Sequence, residues 1–150
     1  MRLSKSETLH DRLLPYLLAR ASHIISAEFY ENLRRRGIPV RRWRLLGLLW
    51  DSDGMTIGEL SEGILVEQSS TTRLVDRAVA EGLVRKRSDS GDRRKVVVTI
   101  TDKGRDYIAE LVEEAQRVNA ALAEDYDPRK TAAIMAALRD LIDHFSRRRD

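Results

Sequence analysis

The chain has 150 residues, 42% of them hydrophobic and 34% charged, with a formal net charge of +3 and no cysteine. That is enough for one domain with a real core, and too apolar for a disordered chain. No apolar run approaches the ~20 residues of a membrane span, MRLSKSETLHDR lacks an apolar signal core, and disulfides and most zinc-site patterns are excluded; a cytoplasmic protein without cofactor or metal is expected.

Residues 9–36 read as one long helix, with Leu9, Leu13, Leu17, Ala21, Ile24, Ile25, Phe29 and Leu33 at helical spacing. Arg34, Arg35 and Arg36, then Gly37 and Pro39, form a stop signal, because cations complement the negative end of the helix dipole. VRRWRLLGLLW, residues 40–50, is a short apolar helix broken by the turn residues DSDG. Thr56 and Glu59 have capping-box spacing, with Met55 and Leu60 placed for a hydrophobic staple, so a helix starts there and runs to about Ile64. The next helix spans about 68–81, with Leu74, Val75, Ala78 and Val79 as its apolar stripe and Gly82 as its stop. Helices joined by so short a turn cross steeply, as in a helix-turn-helix.

Residues 83–87 and 95–100 are strand-like, the second with Val96, Val98 and Ile100 on one face, and 88–94 join them through a turn at Gly91. Thr101 is placed to cap a helix to about Tyr126, and Asp127-Pro128 restarts a last one whose apolar side carries Ile134, Leu138, Leu141, Ile142 and Phe145. The expected fold is mainly α with a small β-hairpin, a single domain over 1–150. Residues of about 40–100 form its middle lobe, and the helices of about 9–36 and 102–148 bury their stripes against each other and against a second copy of the chain.

The face of the 68–81 helix opposite its stripe carries Ser69, Ser70, Thr72, Arg73, Asp76 and Arg77. Short hydroxyls let a helix approach a groove floor, and its free N-terminal amides favour phosphate. Arg73 is long enough to pair with a guanine edge, Arg77 is placed for phosphate, and Gln68 suits adenine if it faces the groove. The plainer reading is that each is an ordinary surface residue; it is their shared face on the second helix of a helix-turn-helix that points to DNA. At the hairpin tip, Arg93, Arg94 and Lys95 would reach a minor groove beside that helix, where a narrow groove concentrates negative potential. Asp92 would repel phosphate, so its role is either to hold and aim an arginine or to make an Asx-type turn contact. Arg41, Arg42 and Arg44 either touch DNA backbone or simply solvate their helix.

RLVDRAVAEGLVRKRSDSGDRRKVVVTITDKG, residues 73–104, resembles the MarR family of bacterial transcription regulators in its recognition helix, glycine, Leu-Val, wing with an Asp-x-Arg core, and strand ending in Thr-x-x-Gly. The landmarks are Gly82, Leu83, Val84, Asp92, Arg94, Thr101 and Gly104. The resemblance implies a winged helix-turn-helix homodimer with terminal dimerisation helices and a near-palindromic operator. It also implies recognition helices in major grooves through Ser69, Ser70, Thr72 and Arg73, and Arg94 in a minor groove oriented by Asp92. Glu67, where the family usually has a small capping hydroxyl, and Thr71, where an aliphatic residue is common, depart from the pattern.

Many members of that family release DNA on binding a small aromatic or phenolic effector. Tyr16, Arg20, His23 and Trp43 are candidates here by type and segment, the alternative for Arg20 and His23 being an interface or surface pair. The expected function is that of a sequence-specific regulator of double-stranded DNA, a repressor on the family's pattern. The alternative is a winged-helix module that binds DNA or protein without sequence preference. Scattered His10, His23 and His144, with no HExxH and no phosphate-binding glycine loop, give no sign of an enzyme.

Overall fold

A computed structural model describes residues 8–89, 91–92 and 94–147. The chain divides into two compact units, Met1–Arg105 and Asp106–Asp150. In the first, a 3₁₀ turn at His10–Arg12 precedes α1 (Leu14–Arg35), α2 (Val40–Leu49), β1 (Met55–Thr56), α3 (Ile57–Ile64), α4 (Gln68–Ala80), β2 (Val84–Ser88), β3 (Val96–Ile100) and the start of α5 (Asp102–Tyr126); the second holds the rest of α5 and α6 (Pro128–Ser146).

The helix expected over 9–36 is interrupted. Leu13 is extended, at φ −101° and ψ 112°, and Pro15 lies in the first turn of α1. Proline has no N–H to donate and its ring clashes with a preceding helical turn, so it starts a helix rather than continuing one. The apolar stripe also divides. Phe29 and Leu33 are buried, whereas Leu9, Leu13, Leu17, Ile24 and Ile25 are exposed.

The core of the first unit is built from Leu45, Leu46 and Leu49 of α2, Leu60 and Ile64 of α3, Val75 of α4 and Val98 of β3, all fully buried. Each such side chain contributes at most about 1.5–3 kcal/mol by leaving water. The expected capping box starts α3: Glu59 N–H donates to Thr56 Oγ1 at 3.3 Å, and Thr56 N–H donates to Glu59 Oε2 at 2.7 Å.

The hairpin is part of a three-stranded antiparallel sheet in the order β1-β3-β2. β2 pairs with β3 from Val84↔Ile100 to Ser88↔Val96, and the short β1 adds Met55↔Val98 and Thr56↔Val97. As the central strand, β3 is hydrogen-bonded along both edges, and its side chains are buried on both faces. Val97 and Thr99 are buried as well as Val98 and Ile100, while Val96, at the loop end, is 47% exposed. Val96, Val98 and Ile100 share one face as expected; what the spacing did not show is that the opposite face, with Val97 and Thr99, is buried as well.

The stripe of α4 is Thr71, Val75 and Ala78, with Val79 exposed rather than buried. Thr71 is fully buried, and its hydroxyl donates to the Glu67 carbonyl at 3.2 Å, so the polar atom in this apolar position is satisfied. Gly82, at φ +73°, closes the helix. Its N–H donates to Val79 O and that of Leu83 to Ala78 O, both at 2.9 Å. The left-handed conformation needed there is one that glycine adopts without steric cost.

Thr101 fastens this turn to α5. Its N–H donates to Leu83 O at 3.0 Å, its hydroxyl donates to Gly82 O at 2.6 Å, and it accepts the Gly104 N–H at 3.0 Å. A Cβ on Gly104 would lie 2.1 Å from Leu83 O, so only glycine allows so close an approach. In the second unit, Asp127 caps α6 by accepting from Arg129 N–H at 2.8 Å and Lys130 N–H at 3.1 Å. No residue of α6 is buried; Ile134, Ile142 and Phe145 are exposed.

Candidate nucleic-acid interface

The polar face of α4 is largely free. Gln68, Ser69, Arg73 and Arg77 are exposed, Ser70 and Thr72 are half-buried, and neither arginine has a hydrogen-bond or ion-pair partner among the described residues. The Thr72 hydroxyl donates to Gln68 O at 2.9 Å, so toward solvent it offers oxygen lone pairs and a methyl group. The Gln68 amide lies beside the backbone of Gly58, at the start of α3. Asp76, on the same polar face, is held by Lys86 of β2, with Nζ 2.6 Å from Oδ1.

The wing tip is closed by Asp89 N–H donating to Lys95 O and Lys95 N–H to Asp92 O, both at 2.9 Å. Asp92 performs both roles that its sequence position allowed. Its Oδ1 accepts the Arg94 backbone N–H at 3.0 Å, an Asx-type contact, and also Arg94 Nε at 3.2 Å. The backbone N–H of Arg94, its guanidinium and then the charge of Lys95 hold the Asp92 carboxyl below its usual pKa, so it remains ionised at neutral pH. Arg94 itself is 92% exposed, tethered at one edge of its guanidinium with the rest facing solvent. Lys95 is exposed; Arg93 lies outside the described residues.

Other basic residues are engaged within the fold. Arg85 donates to Thr99 Oγ1 and Arg87 to the Asp53 carbonyl, both reaching back from β2. Arg42 pairs with Glu81 at 2.7 Å; Arg44 donates to Ile64 O and Tyr30 Oη, both at 3.2 Å. Neither reading given for the α2 arginines, DNA contact or simple solvation, describes Arg42 and Arg44: both are half-buried and bonded to other elements of the lobe, Arg42 to the Glu81 carboxylate and Arg44 to Ile64 O and Tyr30 Oη. The pairing of Lys86 with Asp76 did not emerge from the sequence reading. The available signal was its spacing of two from Val84, which puts it on the strand face shared with that buried residue.

The four candidate effector residues are not gathered together. Tyr16 packs on His10 with ring centroids 4.8 Å apart, Arg20 faces Asp11 at 3.6 Å, and Trp43 meets Phe29 edge-on at 5.1 Å. His23 alone of them lines a groove of about 550 Å³ between α1 and α2, with Tyr30, Glu31, Arg34, Ile38 and Pro39 among its walls. Glu31 is paired with Arg34 in that wall at 2.7 Å. Among the described residues, no group of three His, Cys, Asp or Glu could hold a metal ion, and no helix is long and apolar enough to cross a membrane.

Residues 36–95 match the profile of the MarR family. The crystal structure of the MarR family transcriptional regulator SPO1453 from Silicibacter pomeroyi DSS-3 is similar at 38% identity and a TM-score of 0.80, over 92% of this chain and 98% of that one. The HTH-type transcriptional repressor NicR of Pseudomonas putida is 31% identical over 128 residues, which cover 85% of this chain and 81% of NicR. BpsR of Bordetella bronchiseptica, whose DNA binding is regulated by 6-hydroxynicotinic acid, is 25% identical with a TM-score of 0.70, over 88% of this chain and 94% of that one. The match to the regulator TtmR of Methylorubrum extorquens, 27% identical, spans about half of that protein, 49% of its length. With a winged helix-turn-helix, a free basic helix face and relatives of this kind, the chain belongs to the MarR family of DNA-binding transcription regulators.

Proposed function

We propose that this regulator is a cytoplasmic homodimeric repressor that holds a near-palindromic operator. Gln68, Ser69, Ser70, Thr72, Arg73 and Arg77 of each α4 face a major groove, and Arg94 enters the adjacent minor groove, flanked by Arg93 and Lys95. The observation that carries the reading is the Asp92–Arg94 pair: an arginine side chain that is 92% exposed at the wing tip is tethered through its Nε to the Asp92 carboxylate. Preorganisation of this kind lowers the entropy cost of inserting a long side chain into a groove. Two copies related by a two-fold axis would meet half-sites about one helical turn, ~34–36 Å, apart. The dimer is supported by the apolar side chains left in water on α1 and α6, with Ile24 at 64% and Ile142 at 61% exposure. Repression is supported by the likeness to the repressor NicR.

The test is competition. Duplexes selected from a randomised library should be retained against excess random DNA, and Arg94→Ala should weaken binding about tenfold with a shallower dependence on salt. Displacement of the selected duplex by any DNA alike would favour a module without sequence preference.

A small aromatic acid is the effector class this reading favours, supported by the groove beside His23 and by the likeness to BpsR. Titration with a panel of aromatic acids should give heat and release of DNA; no heat and unchanged DNA binding would retire the effector.

A further inference from the structure

The sequence of α4, QSSTTRLVDRAVA, contains one acidic residue, Asp76, and Arg73 stands three positions before it. Residues at that spacing are neighbours on a helix surface, with Cβ atoms about 5–6 Å apart. The same protein shows an acid and an arginine pairing three positions apart, there with the acid first in the chain. In α1, Glu31 and Arg34 form a two-pronged pair, with Arg34 Nε 2.9 Å from Oε2 and its terminal nitrogen 2.7 Å from Oε1. In α4 the pair does not form. The Asp76 carboxylate turns to Lys86 Nζ at 2.6 Å, and Arg73 is left with no bonding partner among the described residues.

Lys86 is placed for this by the fold. The turn at Gly82 doubles the chain back along α4, and Lys86 shares a strand face with buried Val84. Arg85 and Arg87 use the other face, where they meet the Thr99 hydroxyl and the Asp53 carbonyl.

We propose that Lys86 is a specificity-determining positioning residue: by occupying Asp76 it keeps Arg73 unpaired and available to a base edge. The inference rests on the proposed function, in which Arg73 faces a major groove, and takes its contact there to be a base edge. Without Lys86 the Asp76 carboxylate has two effects. It repels phosphate, which weakens every duplex alike, and it captures Arg73, which lowers the preference for one sequence over another. The second effect separates this role from that of a lysine that merely adds positive charge.

The experiment measures, at one salt concentration, the ratio of affinities for a library-selected duplex and a random duplex. The proteins are the wild type, Lys86→Met, Lys86→Met with Asp76→Asn, Arg73→Ala, and Arg73→Ala with Lys86→Met. Lys86→Met should lower the ratio about tenfold, in the range of one arginine–base contact. Adding Asp76→Asn should return the ratio to the wild-type value, because the competing carboxylate is gone; a lobe damaged by the lysine change would not recover. In the Arg73→Ala background, Lys86→Met should change the ratio no further. An unchanged ratio for Lys86→Met, or a loss that Asp76→Asn leaves in place, would overturn the proposal. If Arg73→Ala itself left the ratio intact, the base-edge role of Arg73 would fall first, and with it the premise.

Discussion

The middle of the chain and its ends treat apolar surface in opposite ways. Between α2 and β3, Leu45, Leu46, Leu49, Leu60, Ile64, Val75 and Val98 are all fully buried within one copy. On α1 and along α6, Leu17, Ile24, Ile25, Ile134, Ile142 and Phe145 remain exposed. Both regions carry apolar stripes in the sequence, and their place in the chain order already led to the expectation of a core in the middle and of terminal stripes that need a further surface. The difference lies in closure. The lobe folds its helices back over a sheet, whereas a long terminal helix offers a stripe that needs another surface. It follows that changes in the lobe should act on folding, and changes on the terminal stripes should act on assembly.

The strongest test of that division is Gly104→Ala. Its Cβ would sit 2.1 Å from a backbone oxygen that cannot swing aside, so the lobe should lose about 3 kcal/mol or more of stability. Thermal unfolding measures this, and a transition within a degree or two of wild type would mean that the junction of α4, β2 and α5 is looser than described. Ile142→Asp should leave the lobe's unfolding nearly unchanged yet weaken self-association by about 2–3 kcal/mol for each buried isoleucine lost, roughly 30–150-fold. Sedimentation equilibrium across a concentration series reads this directly, and an unaltered association constant would place the interface elsewhere. The smallest effect is a gain. Leu65, in the turn between α3 and α4, has left-handed backbone at φ 65° and is 75% exposed. Leu65→Gly removes that steric cost while losing little burial, so stability should rise by about 0.5–1 kcal/mol after the added freedom of the unfolded chain is counted. A fall in stability would show that the leucine side chain holds the turn in a way its exposure conceals.

How far the sequence revealed all this depended on the range of the interaction. Local signals read true: the Thr56–Glu59 box, the Gly82 stop, the Thr101 cap and the Asp92–Arg94 contact each lie within a few residues. Pro15 was also local, yet the leucine spacing around it carried the reading through the break that proline imposes. β1 has two residues, too few to alternate, and exists because Met55 and Thr56 meet β3. The partners of Arg42, Arg44 and Lys86 come from other elements, Arg42 reaching a glutamate 39 positions away. A basic residue that packs into the fold and one that reaches outward look the same until those elements are in place.

Hydroxyl-radical footprinting on a selected duplex tests the central claim most directly. Two copies, each with a helix in a major groove and a wing tip in the neighbouring minor groove, should protect the backbone symmetrically about a central dyad. Arg94→Ala should remove the protection at the two outer minor-groove segments and leave the inner pattern in place. A single protected patch without symmetry, or a wing footprint that survives Arg94→Ala, would contradict the account.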